Sequence, residues 1–224
     1  MTHLSLDELD RDGALGEAES RLPRGRFLGL AAGGAAALGV LAASAPARAQ
    51  GVTKSDVAIL NYALSLEYLQ SAFYTETERL AAVRGQAARA ARVVGAVERA
   101  HVAAFRNLLG RKAIKRPSFD FRGTTEDQQG FLKTAVAFED LAVAAYKGQV
   151  HLIESDAVLA AAVSIHSVEA RHASWMRHLF GIRPASSAFD EGKPKAEILR
   201  VVQSTSFVVA RPRTRGRGGP RFTG

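Results

Sequence analysis

The sequence predicts an all-α protein, an antiparallel four-helix bundle made of two similar helical hairpins with a long crossover between helices 2 and 3. From residue 51 to residue 180 the apolar residues recur every three or four positions, which is the helical period, and the alternation typical of strands is absent. The links from helix 1 to helix 2 and from helix 3 to helix 4 are short, so each pair is expected to form a hairpin.

Capping and breaking residues set the limits of the first two helices. Helix 1 is predicted from about Ser55 to Val83, with Thr53 or Ser55 as its N-cap. Helix 2 is predicted from about Ala87 to Leu109, and Gly110 ends it.

The remaining helices follow the segment "GTTEDQ", in which Thr124 or Thr125 can act as the N-cap of helix 3. That helix is predicted to continue to about Ile153. Helix 4 is expected from Ser155 to Phe180, and a short fifth helix from about Lys195 to Val202.

The link between helices 2 and 3, "RKAIKRPSFDFRGTT", is about fifteen residues long. Extended at roughly 3.3 Å per residue, it spans about 50 Å. A helix of 24 residues is only about 36 Å long. The link can therefore cross the whole bundle.

The two hairpins look like copies of each other. The first contains "LEYLQSAFY" followed by "VERAH", and the second contains "FEDLAVAAY" followed by "VEARH". Glu67 precedes Tyr74 by seven residues, and Glu139 precedes Tyr146 by seven. Each hairpin thus supplies a lone glutamate and then a Glu-x-x-His pair, namely Glu98 with His101 and Glu169 with His172.

This duplicated pattern predicts a metal site. Residues three apart share a helix face, and the four carboxylates fall near mid-bundle on faces that otherwise carry apolar residues. Buried carboxylates cannot all stay ionised without compensation. Two divalent cations would balance four negative charges and leave the imidazoles as neutral ligands. The predicted ligands are Glu67, Glu98, His101, Glu139, Glu169 and His172.

With these residues the chain resembles the ferritin-like di-iron carboxylate proteins, whose four-helix bundle binds two metals through the same set. The segments "FEDLAVAAY" and "VEARH" are also similar to a branch known as ferritin-like or desiccation-related stress proteins. The resemblance covers roughly residues 50–208, including "AFDEGKPKAEILRVVQSTSFV". It implies a ferritin-like fold and a dinuclear centre, and it is much less specific for a reaction.

Within such a centre, Glu98 and Glu169 are predicted to bridge both metals, because each has a histidine on its own helix. Glu67 and Glu139 would then be terminal ligands, one for each metal. An oxygen-rich set with imidazoles and without thiolates suits iron best, with manganese or zinc as alternatives.

Tyr74 and Tyr146 lie two helical turns after the glutamates of their own helices. They could donate hydrogen bonds to the ligands or quench radicals near an oxidising centre. The alternative, core tyrosines with hydroxyls satisfied elsewhere, stays open. His166 lies three residues before Glu169 and is a weaker candidate for an additional ligand.

Two functions are compatible with this centre. One is iron or oxidative-stress handling, with oxygen or peroxide as the partner, by Fe(II) oxidation or peroxide reduction. The other is a non-catalytic stress or desiccation-related bundle in which metal is only stabilising. A homo-oligomer is compatible with either function, and nucleic acid is not an expected partner.

Residues 1–49 are expected to be an export signal. Arg24 and Arg26 precede a weakly hydrophobic stretch, and Ala47-Arg48-Ala49 fits a small-x-small cleavage site. The long polar leader resembles a degenerate twin-arginine (Tat) signal, with Gly25 where the second consecutive arginine is expected. The apolar run of about 15 residues is shorter than the roughly 20 that a membrane span needs. We therefore expect a periplasmic or secreted protein without a stable span after processing.

The composition limits the remaining chemistry. The chain has no cysteine, which excludes disulfides, cysteine-ligated zinc and iron–sulfur clusters. Five arginines lie in the last fourteen residues, which are too polar to fold alone. The predicted organisation is a signal in residues 1–49, a bundle with a short C-terminal helix in residues 50–208 and a disordered basic tail in residues 209–224.

Overall fold

The computed structural model describes residues 52–210, in which five α-helices and two short strands follow one another along the chain. A 3₁₀ turn, Gly110–Lys112, extends the second helix. The elements are α1 (Lys54–Leu80), α2 (Gly85–Leu109), β1 (Ser118–Phe119), α3 (Gln128–Val150), α4 (Asp156–Phe180), α5 (Lys195–Ser204) and β2 (Val208–Val209). The predicted export signal and nearly all of the predicted basic tail lie outside the described residues.

The four long helices form the predicted bundle of two hairpins. The most extensive helix contacts lie within the pairs α1–α2 and α3–α4, and the hairpins meet through α1 with α3 and through α2 with α4. The predicted all-α bundle is therefore confirmed. The short strands β1 and β2 pair in antiparallel fashion, with Phe119 opposite Val208, and add only a small ribbon to it.

The crossover runs beside α1 from one end of the bundle to the other. Near its start, the Asn61 side chain bonds the backbone of Lys112 and Ile114. Near its end, the Thr125 hydroxyl donates to Glu76 at 2.8 Å. Because the crossover returns the chain to the C-terminal end of α1, α3 runs antiparallel to α1.

The ends of the helices differ from the predicted limits by a few residues. Helix α1 ends at Leu80, where Ala81 adopts a left-handed conformation, and α3 ends at Val150. Asp127 caps α3, accepting from the Gly130 amide at 2.8 Å, whereas Thr124 or Thr125 was expected there. The buried Thr125 hydroxyl donates to Glu76 of α1.

Asp56 ties the start of α1 to the start of α4. Thr53 and Asp56 form a reciprocal capping box at the first turn of α1. The same buried carboxylate accepts from the backbone amides of Glu154 at 2.9 Å and Ser155 at 3.2 Å. One side chain therefore satisfies backbone donors of both hairpins at this end of the bundle.

The core is aromatic at the end where the crossover enters it. Phe73 of α1 lies at the middle of a group of phenylalanine rings from the crossover and α3, with ring centroids 5.1–5.5 Å away. Helix α5 buries Ile198 against Tyr62, Leu66 and Ala145. None of the helices in residues 52–210 is long and apolar enough to cross a membrane.

Candidate metal centre

The four long helices each contribute to one polar cluster inside the bundle. Helices α1 and α3 provide one lone glutamate each, and α2 and α4 provide one glutamate and one histidine each. The four glutamates have no exposed surface, and the two histidines are 6% exposed. The six residues that the sequence predicts as ligands, Glu67, Glu98, His101, Glu139, Glu169 and His172, are therefore all brought together.

Potential ligand atoms form two overlapping groups, each with all of its atoms within 4.8 Å of one another. One group is Glu67, Glu98, His101 and Glu169, and the other is Glu98, Glu139, Glu169 and His172. The two glutamates of the Glu-x-x-His pairs belong to both groups. Each group could hold one ion, and the shared glutamates could bridge the two.

The histidine nitrogens lie among the carboxylate oxygens. His101 Nδ1 is 3.1 Å from Glu169 Oε1 and 3.3 Å from Glu67 Oε2. His172 Nδ1 is 2.9 Å from Glu98 Oε1 and 3.6 Å from Glu139 Oε2. Each imidazole thus faces the glutamate of the other Glu-x-x-His pair.

The polar atoms that point into this cluster fit the ligand set of a dinuclear metal centre. Buried polar atoms normally have hydrogen-bond partners. Within residues 52–210 the atoms that form no well-directed hydrogen bond, and have mainly one another as close polar neighbours, include Glu67 Oε2, both carboxylate oxygens of Glu98 and of Glu169, and Nδ1 of His101 and of His172. These oxygen and imidazole atoms are the donors that iron and manganese accept.

A sequence model of the ferritin-like domain matches residues 55–181. The chain belongs to the ferritin-like family. The match spans the four long helices and the crossover, so it includes all six candidate ligands. A comparison with curated proteins gives no match.

In the metal-free ferritin-like centre, bound protons balance the negative charge of the buried carboxylates. Burial raises the pKa of Glu98 to about 8, with the charge on Glu169 adding to the effect. Burial also raises the pKa of Glu139 to about 7. Burial opposes charge on both histidines, yet the surrounding carboxylates raise the pKa of His101 and His172 well above the ordinary value.

Glu169 behaves differently from the other shared glutamate. Burial alone would raise the pKa of this carboxyl, but the two neighbouring histidines outweigh that effect and lower the pKa to about 2. Protons and divalent cations would therefore compete for the same cluster, in which Glu169 keeps its negative charge well into acid.

Each tyrosine of the ferritin-like bundle bonds the glutamate of the other hairpin. The Tyr74 hydroxyl of α1 donates to Glu139 Oε1 of α3, and the Tyr146 hydroxyl of α3 donates to Glu67 Oε1 of α1. The sequence left open whether these hydroxyls reach the candidate ligands, and both do. In both cases the partner lies on the other hairpin and is not the glutamate of the same helix.

Gln70 is a polar residue of this site that the sequence did not indicate. Its Nε2 donates to Glu139 Oε2 at 3.2 Å, and its side chain is buried. The sequence feature that could have indicated Gln70 is its position three residues after Glu67, which places both side chains on the same helix face. His166 is partly exposed and belongs to neither group of candidate ligands.

Proposed function

We propose that the protein binds a dinuclear metal centre, most suitably of two iron ions, and uses it to oxidise Fe(II) with oxygen as the electron acceptor or to reduce peroxide with electrons from Fe(II). The observation that supports this proposal most directly is the pair of overlapping four-residue groups that share Glu98 and Glu169. Two divalent cations would neutralise the four carboxylates whose burial is otherwise costly. Manganese and zinc also accept such ligands, so the test must identify the metal.

The residues of the cluster would have different roles in binding the metal. Glu67 and His101 would hold one ion, Glu139 and His172 the other, and the shared glutamates both. The tyrosine hydroxyls would keep the terminal glutamates oriented, as hydrogen-bonded groups around a metal ligand do. Bound iron would supply one-electron redox chemistry with oxygen or peroxide. The enclosing apolar core would limit the access of water to the cluster.

Metal analysis followed by iron loading tests this proposal. Protein purified from its native compartment is analysed for metals, then loaded with Fe(II) without oxygen and exposed to oxygen or to peroxide. We expect two metals per chain and oxidation of the added Fe(II). The double variant Glu98→Ala with Glu169→Ala should lose both, and Glu191→Ala, in an exposed loop, should lose neither. Fewer than one metal per chain under all conditions would refute the centre.

A second candidate is a stress or desiccation-related bundle that metal only stabilises. The complete burial of the four glutamates favours it, because a structural site needs no access for a substrate. It predicts bound metal and a loss of thermal stability on chelation, without oxidation of added Fe(II). Unchanged or improved stability of the double alanine variant, with no metal in the wild type, would contradict both candidates.

We also propose that the protein acts after export, in the periplasm or outside the cell. The support is the arginine-containing leader and the Ala47-Arg48-Ala49 site in the sequence. Cell fractionation with N-terminal sequencing tests it. A mature chain that begins at Gln50 is expected, and an unprocessed chain in the cytoplasm would refute it.

A further inference from the structure

Position 70 breaks the similarity of the two hairpins beside the metal centre. Gln70 follows Glu67 by three residues in α1, and the corresponding residue after Glu139 in α3 is Ala142. Both Gln70 and Ala142 are buried. The amide of Gln70 therefore has no counterpart in the second hairpin.

This amide reaches only one of the two lone glutamates. Glu139 accepts from Tyr74 at Oε1 and from Gln70 at Oε2. Glu67 accepts from Tyr146 at Oε1, and the nearest polar atom to its Oε2 is Nδ1 of His101, itself a candidate ligand, at 3.3 Å. Among residues that are not candidate ligands, two donors therefore hold Glu139 in place, whereas a single donor holds Glu67.

The two lone glutamates differ in how many hydrogen bonds orient them, whereas the two groups of candidate ligands have the same composition of charged residues. Gln70 is neutral, so both groups of candidate ligands contain three carboxylates and one imidazole. A carboxylate held at both oxygens loses little further freedom when it binds a cation. Groups that orient metal ligands in this way are typically worth 10–100-fold in metal affinity.

We infer that Gln70 makes the two metal positions unequal, so that the position of Glu139 and His172 binds a divalent cation more tightly and fills before the position of Glu67 and His101. The inference rests on the proposed dinuclear centre and adds an order of loading to it. Gln70 is a positioning residue, because it contacts Glu139 and belongs to neither ligand group.

A titration of the metal-free full-length protein with Mn²⁺, followed by calorimetry and by the electron paramagnetic resonance of free Mn²⁺, tests the inference. The wild type should show two binding steps separated by roughly 10–100-fold. Gln70→Ala, which leaves alanine at both corresponding positions, should weaken the tight step by a similar factor and bring the steps together. The matched control is Gln149→Ala, a buried glutamine whose amide bonds the Gly148 carbonyl, and it should change neither step.

Two histidine variants assign the effect to one position. His101→Ala retains the position of Glu139 and His172, and there Gln70→Ala should weaken Mn²⁺ binding by about 10-fold or more. His172→Ala retains the other position, and there Gln70→Ala should have no effect. Circular dichroism and thermal unfolding show whether each variant is folded. If a histidine variant is unfolded, the inference is tested by comparing the separation of the two Mn²⁺ binding steps in the wild type with that in Gln70→Ala.

The outcomes separate this inference from the proposed function. Two equal steps in the wild type, an unchanged separation in Gln70→Ala, or an equal effect in both histidine backgrounds would overturn the inference and leave the dinuclear centre standing. A folded wild-type protein that binds neither Mn²⁺ nor Fe(II) would overturn the centre itself.

Discussion

The metal-free protein should lose stability as the pH rises from about 5 to about 8. Burial raises the pKa of Glu98 from 4.5 to about 8 and that of Glu139 from 4.5 to about 7. A group whose pKa is raised by folding stabilises the fold fully below its unfolded pKa, and this contribution is lost as the pH rises through the folded pKa. The raised pKa values of His101 and His172 act in the same direction.

The size of this loss follows from the shifts. Each pKa unit corresponds to about 1.4 kcal/mol, so the two glutamates together account for about 8 kcal/mol, which is comparable to the whole stability of an ordinary domain. Glu169 has a lowered pKa of about 2, so its contribution is complete above 4.5 and is lost only in acid. It does not offset the change between pH 5 and pH 8.

Urea unfolding of the metal-free protein between pH 5 and pH 9 measures the effect. Glu98→Gln removes one ionisable group from the cluster and should flatten the profile, whereas Glu191→Gln, in an exposed loop, should leave it unchanged. Saturating metal should reverse the slope, because cations displace protons from the ligands and bind more tightly at higher pH. A flat profile for the metal-free wild type would refute the reasoning about buried carboxylates.

Three further substitutions test other parts of the structure. Tyr146→Phe removes the hydroxyl that bonds Glu67 and should lower metal affinity by about 10–100-fold in calorimetry, with Tyr68→Phe as a control outside the cluster. An unchanged affinity would contradict a role in orienting the ligand. Asp56→Ala removes a capping box and two bonds to the start of α4, and should cost roughly 2–4 kcal/mol in urea unfolding. A cost below that of an ordinary cap would count against the link between hairpins. Gly148→Ala would place a Cβ atom 2.0 Å from the Lys193 carbonyl oxygen, and should lower stability by about 1–3 kcal/mol. An unchanged melting temperature would show that the segment before α5 is not fixed there.

The candidate ligands could be predicted from the sequence because the signal is local and repeated. Residues three apart on a helix share a face, so Glu98 with His101 and Glu169 with His172 are readable without knowledge of the packing. The nearly equal spacing from each lone glutamate to the next, 31 residues from Glu67 to Glu98 and 30 from Glu139 to Glu169, then places all four helices around one cluster. The hairpin order and the crossover follow from link lengths alone.

The hydrogen bonds around the ligands could not be predicted, because they depend on how the hairpins dock. Tyr74 is seven residues after Glu67, about 10.5 Å along the helix axis, which puts it out of reach of its own glutamate. Helix α3 runs antiparallel to α1 and places Glu139 beside Tyr74. The same arrangement places Glu67 of α1 beside Tyr146 of α3. The bond from Thr125 to Glu76 likewise joins residues that are distant in sequence.

The tyrosine of each hairpin bonds a glutamate of the other hairpin, so neither hairpin by itself contains the complete hydrogen-bonded site. Each group of candidate ligands also takes residues from both hairpins, as Glu67 and Glu169 in the first group illustrate. A chain cut within the crossover would therefore yield two fragments that bind metal poorly when separate and recover binding when mixed. Fragment complementation would then report on docking through metal occupancy.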